Sequence, residues 1–137
     1  MNLAVLDTDI MTEVLKRRDP LVAKHAASYL QSHGQFAFSA MTRFEIVRGI
    51  RHTNSARLMQ EFTLLEKQSL VFPVSADVLD QAADLWVVAR NRGKPHRDAD
   101  LIIAATALLE GRTLVTGNTL HFDWIPGLAT SNWRDPP

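Results

Sequence analysis

Three acidic residues stand in this chain where burial would normally exclude acids. Asp7 closes the apolar run Leu3-Ala4-Val5-Leu6, Glu45 falls among Met41, Phe44, Val47 and Ile50, and Asp100 opens onto Leu101-Ile102-Ile103-Ala104-Ala105. A carboxylate beside a packed core is costly to desolvate unless a cation or hydrogen bonds compensate it. Three such acids, far apart in sequence, are most simply explained by convergence on one metal ion. Hard oxygen donors in a chain with no cysteine and no clustered histidine select Mg²⁺ or Mn²⁺ over zinc. A metal-dependent enzyme is the expectation.

Each acid also has a plainer reading. Asp7 could cap the following helix, but Thr8 or Asp9 could do so equally well. Glu45 could pair with Arg48 one turn on, although its apolar neighbours argue against an exposed face. Gly49 weakens that helix by about 1 kcal/mol relative to Ala and suggests that something approaches closely there. Asp98 and Asp100 both open a helix that needs only one cap. Asp100 is favoured as the ligand and Asp98 as the cap or an auxiliary, an assignment that spacing alone leaves reversible. Asn118 is either a turn residue or an amide that orients a water on the metal. Asp9, Thr116 and Asp123 are further auxiliary candidates, and a lone His121 beside Phe122 reads as packing. Basic residues surround these acids. Arg92, Lys94 and Arg97 precede the Asp98–Asp100 pair, and Arg43, Arg48, Arg51 and His52 surround Glu45. Of these, Arg43, Arg92, Lys94 and Arg97 are the candidates for phosphate contact.

The elements that must position these residues follow from apolar periodicity and from punctuation by Gly, Pro and capping residues. Strands are expected at Leu3–Leu6, Phe36–Phe38, Leu70–Val74 and Thr113–Thr116, with a short edge strand at Leu128–Ser131. Helices are expected after Asp7-Thr8-Asp9, from Asp19-Pro20 to about His33, from Ser39 to about Ile50, from Ser55 to Lys67, from Ser75 to near Gly93, and from Asp98 to Gly111. Strands alternating with helices predict an α/β protein, with a mainly parallel sheet of four to five strands between two helical layers. Such sheets place sites at the carboxyl ends of their strands, where Asp7, Ser39 and Thr116 fall. Trp86, Trp124 and Trp133 are assigned to core or interface.

Bulk composition narrows the classes. With 137 residues, 46% of them apolar, the chain suits a single globular domain spanning 1–137. The absence of cysteine suits a reducing cytoplasm, and no signal peptide is evident. The longest apolar stretch, Leu101–Leu109, is far short of the roughly 20 residues that span a bilayer, so no membrane role is expected. A net charge of zero means that any nucleic-acid contact must come from a local basic patch.

Taken together, Val5-Leu6-Asp7-Thr8-Asp9, Ser39 with Phe44-Glu45-Ile46 and Gly49, Asp100-Leu101-Ile102-Ile103-Ala104-Ala105, and Leu114-Val115-Thr116-Gly117-Asn118 with Phe122 resemble the PIN domain. The length and the ending Ile125-Pro126-Gly127-Leu128 through Trp133 resemble VapC-type toxins of bacterial toxin–antitoxin pairs. The resemblance covers essentially the whole chain. It implies a three-layer α/β/α sandwich and a Mg²⁺- or Mn²⁺-dependent endoribonuclease. Asp7, Glu45 and Asp100 would be its metal-binding acids and Asn118 a further catalytic residue. Metal-activated water would attack structured or single-stranded-loop RNA such as tRNA or rRNA, leaving a 5′-phosphate and a 3′-hydroxyl. The resemblance also implies a homodimer and a VapB-type antitoxin partner. His121 stands where such toxins frequently carry Asp or Glu, so the second metal position could fall to Asp98 or Asp123. Two other classes fit parts of the pattern. Leu6-Asp7-Thr8-Asp9 matches the start of a haloacid-dehalogenase-like phosphatase, which leaves Glu45 without a task. A non-catalytic metal- or partner-binding module would use the acids only for binding.

Overall fold

The alternation of short apolar runs with longer amphipathic ones is realised as five strands and six α-helices in a computed structural model describing residues 1–137. In chain order they are β1 (Ala4–Leu6), α1 (Thr8–Lys16), α2 (Pro20–His33), β2 (Ala37–Ser39), α3 (Ala40–Thr53), α4 (Ala56–Lys67), β3 (Leu70–Phe72), α5 (Ala76–Asn91), α6 (Asp98–Leu109), β4 (Thr113–Val115) and β5 (Thr130–Ser131). Every strand pairing is parallel: β1 with β4, β4 with β5, and β2 with β3. β2 lies beside β1, but no continuous ladder joins the two halves. β1 is therefore central, and its carboxyl end opens in the middle of the fold.

Side chains of a strand alternate between faces, and here the alternation divides the core in two. Ala4 and Leu6 of β1 and Val115 of β4 pack with residues of α1 to α4, including Met11, Tyr29 and Phe62, and with Trp133. Val5 and Leu114, one position out of phase, pack with α5 and α6 and with Trp124. The expected three-layer sandwich is thus present. The buried Tyr29 hydroxyl accepts a hydrogen bond from the Ala4 N–H at 3.0 Å, pinning α2 to the start of the central strand.

The helix starts follow capping chemistry. Asp19 accepts from Leu21 and Val22 N–H, while Ser39, Ser55 and Ser75 cap α3, α4 and α5. α6 departs from expectation. Its cap position is Arg97, without a side-chain cap bond, and Asp98 is its exposed first helical residue. α3 also presents a different face from the one expected. Thr42, Ile46 and Ile50 lie one turn apart and are buried, together with Val47. Phe44, two residues from Ile46, points to the other side and is 53% exposed. Trp86 is likewise exposed, with the Arg90 guanidinium 4.4 Å above its ring. β3 stops at Phe72 because Pro73 has no N–H to continue a ladder. β5 begins only at Thr130, after a turn in which Gly127 takes φ 79°.

Removing the Tyr29 hydroxyl would leave the Ala4 N–H buried without a partner. Tyr29→Phe is therefore expected to lower stability by ~1–3 kcal/mol, measured as a lower urea midpoint with an unchanged m-value.

Candidate active site

The carboxyl ends of β1 and β4 are adjacent because the two strands pair in register from Ala4–Thr113 to Leu6–Val115. Asp7 follows β1 directly, and its N–H still donates to the Val115 carbonyl at 2.8 Å. Thr116 follows β4, and its hydroxyl donates to Asp7 Oδ2 at 2.8 Å. The other Asp7 oxygen, Oδ1, accepts from the Thr8 N–H at 2.8 Å, so Asp7 is both the cap of α1 and a fixed, buried acid. Capping α1 therefore leaves Asp7 at the end of the central strand, facing the pocket.

Glu45 and Asp100 enter from either side. The Thr8 hydroxyl donates to Glu45 Oε1 at 2.7 Å, tying α3 to α1 at the mouth of the site. Asp100, buried in the first turn of α6, faces the same pocket of about 300 Å³, which Asn118 and His121 also line. Thus Asp7, Glu45, Asp100, Asn118, Asp9 and Thr116 are brought together as expected. Asp98 and Asp123 are not: both are exposed and neither lines the pocket. Asp98 misses because it lies two residues, about 200° of helix, from the inward-facing Asp100.

The basic candidates divide as well. Arg92 and Lys94 are exposed and outside the pocket. Arg43 is on the outer face of α3, bonded to Glu66. Arg97 lies directly on the acids. Its Nη2 is 3.2 Å from Asp100 Oδ1, its Nε 3.4 Å from Asp100 Oδ2, and its Nη1 3.9 Å from Glu45 Oε2. Bonding to Asp100 raises the Arg97 pKa, with smaller contributions from Glu45 and Asp7. No three of the acids and imidazoles meet around a common point in this arrangement. The guanidinium instead supplies positive charge between Asp100 and Glu45. Asp7 lines the same pocket without contacting the guanidinium, so the pocket offers three carboxylates, the oxygen-donor chemistry that suits a divalent ion such as Mg²⁺.

His121 was assigned to packing. It does pack edge-on against Phe122, yet its Nε2 is 3.2 Å from Asp100 Oδ2 and 2.9 Å from His96 Nδ1. His96 in turn stacks on Trp124, whose indole N–H donates to the His121 carbonyl at 2.9 Å. Burial, then His121, lowers the His96 pKa. The sequence signal for the pair was the His-Phe-Asp-Trp run, but nothing local places it beside residue 96.

Asp9 acts as a strap. Its Oδ2 accepts from the Gly117 N–H at 2.9 Å and its Oδ1 from the Ile10 N–H at 2.8 Å. A Cβ at Gly117 would stand 2.3 Å from Asp9 Oδ2, so the close approach requires glycine. Burial raises the pKa of Asp9. Burial, followed by the nearby Asp9 charge, pushes the Asp7 carboxyl up to about 6 from 3.8, despite the Thr116 and Thr8 hydrogen bonds.

The comparisons with known proteins identify the family and the fold. The PIN domain family model matches residues 4–124. Ribonuclease VapC19 of Mycobacterium tuberculosis is 31% identical over 127 residues, covering 90% of this chain and 95% of that protein. The tRNA(fMet)-specific endonuclease VapC of Shigella flexneri is 26% identical over 136 residues, covering 94% and 96%. Among solved structures, VapBC2 from Rickettsia felis, bound to a DNA fragment from the promoter, superposes with a TM-score of 0.83 at 22% identity, covering 96% of this chain and 98% of that one. The chain belongs to the PIN domain family.

The raised Asp7 pKa sets a pH dependence. Between 3.8 and about 6 the folded state holds a proton that the unfolded chain has released. The resulting stability is complete below 3.8 and is lost as pH rises through 6. At neutral pH the metal-free fold bears the whole cost of the Asp7 charge, roughly 1–3 kcal/mol. Asp7→Asn is therefore expected to raise the melting temperature of metal-free protein at neutral pH and to confer no gain below 3.8, as thermal melts across that range would register.

Proposed function

We propose that the protein is a metal-dependent endoribonuclease, the toxin of a VapBC-type pair, hydrolysing phosphodiester bonds in RNA. The observation that carries this reading is the convergence of Asp7, Glu45 and Asp100 on one pocket at the end of the central strand. The family and the VapC ribonucleases it resembles supply the reaction class. Asp7, Asp100 and Glu45 would hold Mg²⁺ or Mn²⁺. Such an ion, when bound, supplies Lewis acidity toward a phosphoryl oxygen and lowers the pKa of water.

The chain's own residues do the rest. Thr116 and the Thr8 N–H fix both oxygens of Asp7 in the plane that its burial allows. The Thr8 hydroxyl orients Glu45. Asn118 holds the pocket rim through its N–H, which donates to the Thr116 hydroxyl at 3.2 Å, leaving its amide to orient the attacking water. Arg97, which bonds Asp100 and lies 3.9 Å from Glu45, would be the cation available to a substrate phosphate were a metal to take those carboxylates. Substrate is RNA whose strands are unstacked, in loops or single-stranded segments of tRNA or rRNA. A homodimer, a VapB-type antitoxin and a cytoplasmic location complete the reading. No helix is long and apolar enough to cross a membrane. The phosphatase alternative is disfavoured by Glu45, which it leaves idle and which here faces Asp7 and Asp100.

Total RNA incubated with the protein in Mg²⁺ or Mn²⁺ is expected to be cut at a few sites carrying 5′-phosphates. EDTA or Asp100→Asn should abolish the cuts; identical end-sequencing profiles from the folded variant would refute the assignment. Because Arg97 competes for the acids, Arg97→Ala is expected to bind Mn²⁺ roughly two- to fivefold more tightly by calorimetry while cleaving more slowly.

A further inference from the structure

Outside the acid pocket, the outer face of α3 carries a concentration of charge that the rest of this neutral chain does not explain. Helical spacing aligns Arg43, Val47 and Arg51 in one row and Phe44, Arg48 and His52 in the next. These six residues line an open groove of about 580 Å³ that contains no acid. Arg43 is partly neutralised by Glu66, and Arg48 lies 3.5 Å from Glu45 Oε2, but Arg51 and His52 make no ion pair. Phe44 is 53% exposed, with the Arg48 guanidinium 5.1 Å from its ring centroid. Gly49 lies on the exposed side of the same helix, and a Cβ there would meet nothing within 4 Å. A mid-helix glycine costs about 1 kcal/mol relative to Ala, and no contact within the chain requires it.

We infer that this groove is a substrate subsite in which single-stranded RNA flanking the cut phosphate stacks a base on Phe44 and lays its phosphates on Arg51 and Arg48. The inference rests on the endoribonuclease reading and deepens it. Three observations favour RNA over other occupants. The cations match phosphates, and no acid is present to receive a basic partner. The apolar lining is Ala40, Val47 and a single aromatic ring, Phe44, suited to a base and small for the apolar centre of a protein interface. Arg48, 3.5 Å from Glu45 Oε2, links this face of α3 to the acid pocket, although the two hollows share no lining residue. Arg48 and Phe44 together offer a guanidinium plane and an aromatic face, both of which stack unpaired bases.

The test is fluorescence anisotropy of a short labelled single-stranded RNA with the full chain in EDTA, which separates binding from cleavage, repeated over a salt series. Arg51→Ala is expected to weaken binding about fivefold and to reduce the slope of log affinity against log salt by about 0.7, one lost phosphate contact. Phe44→Ala is expected to weaken binding at least about fivefold with the slope unchanged, and Phe44→Trp to restore it. Arg18→Ala, two residues beyond the end of α1, controls for nonspecific loss of charge. Wild-type affinity and slope in both groove variants would overturn the subsite while leaving the nuclease in place. Unchanged RNA binding with lost affinity for an acidic antitoxin segment would give the groove to a protein partner instead. Failure of the wild type to bind RNA in EDTA would overturn the subsite, while the nuclease reading stands or falls on the metal-dependent cuts.

Discussion

Everything at the site depends on keeping a carboxylate ionisable at the end of a buried strand. Asp7 is almost fully enclosed and has two acidic neighbours, so it is held near protonation at about 6. Only two hydrogen bonds, from the Thr8 N–H and the Thr116 hydroxyl, oppose that burden. Parallel pairing of β1 with β4 makes both available, because it puts residues 7 and 116 at matching strand ends. At the end of β1, α3 from one helical layer and α6 from the other bring Glu45 and Asp100 to the same pocket.

Repulsion among the acids is relieved from opposite sides by two kinds of group. Neutral donors from α1 and β4 fix the oxygens without removing the charge. The cationic Arg97 removes charge but is itself largely exposed and attached to an extended segment. A contact of that kind is weak in water and readily exchanged. Geometry that must persist is built from buried backbone and threonine donors, and geometry that must yield is assigned to a long solvent-facing side chain.

Much of the arrangement could be read from local pattern. Short apolar runs gave the strands. Ser39, Ser55, Ser75 and Asp19 marked helix starts because a capping side chain interacts only with its own first turn. Asp7, Glu45 and Asp100 were visible as acids in apolar surroundings. What escaped the sequence was orientation. Phe44 and Trp86 look like core residues by type, yet each lies on the outer side of its helix, which only the packing of α3 and α5 decides. Asp98 and Asp100 could not be separated by composition, since the answer was the angle at which α6 enters. The link from His96 to His121 joins residues 25 apart in sequence through the stacking of His96 on Trp124, and no periodicity reports such a contact.

Asp9 and Gly117 carry a consequence beyond this one chain. The carboxylate of one fills the space that any side chain on the other would need, and the two groups are joined by a hydrogen bond. A side chain at 117 would have to push the Asp9 carboxylate aside, and so would break the anchor of the loop that carries Thr116. A smaller residue at 9 would meet no such obstacle and would lose only the hydrogen bond. The constraint therefore runs from 9 to 117, although 108 residues separate them.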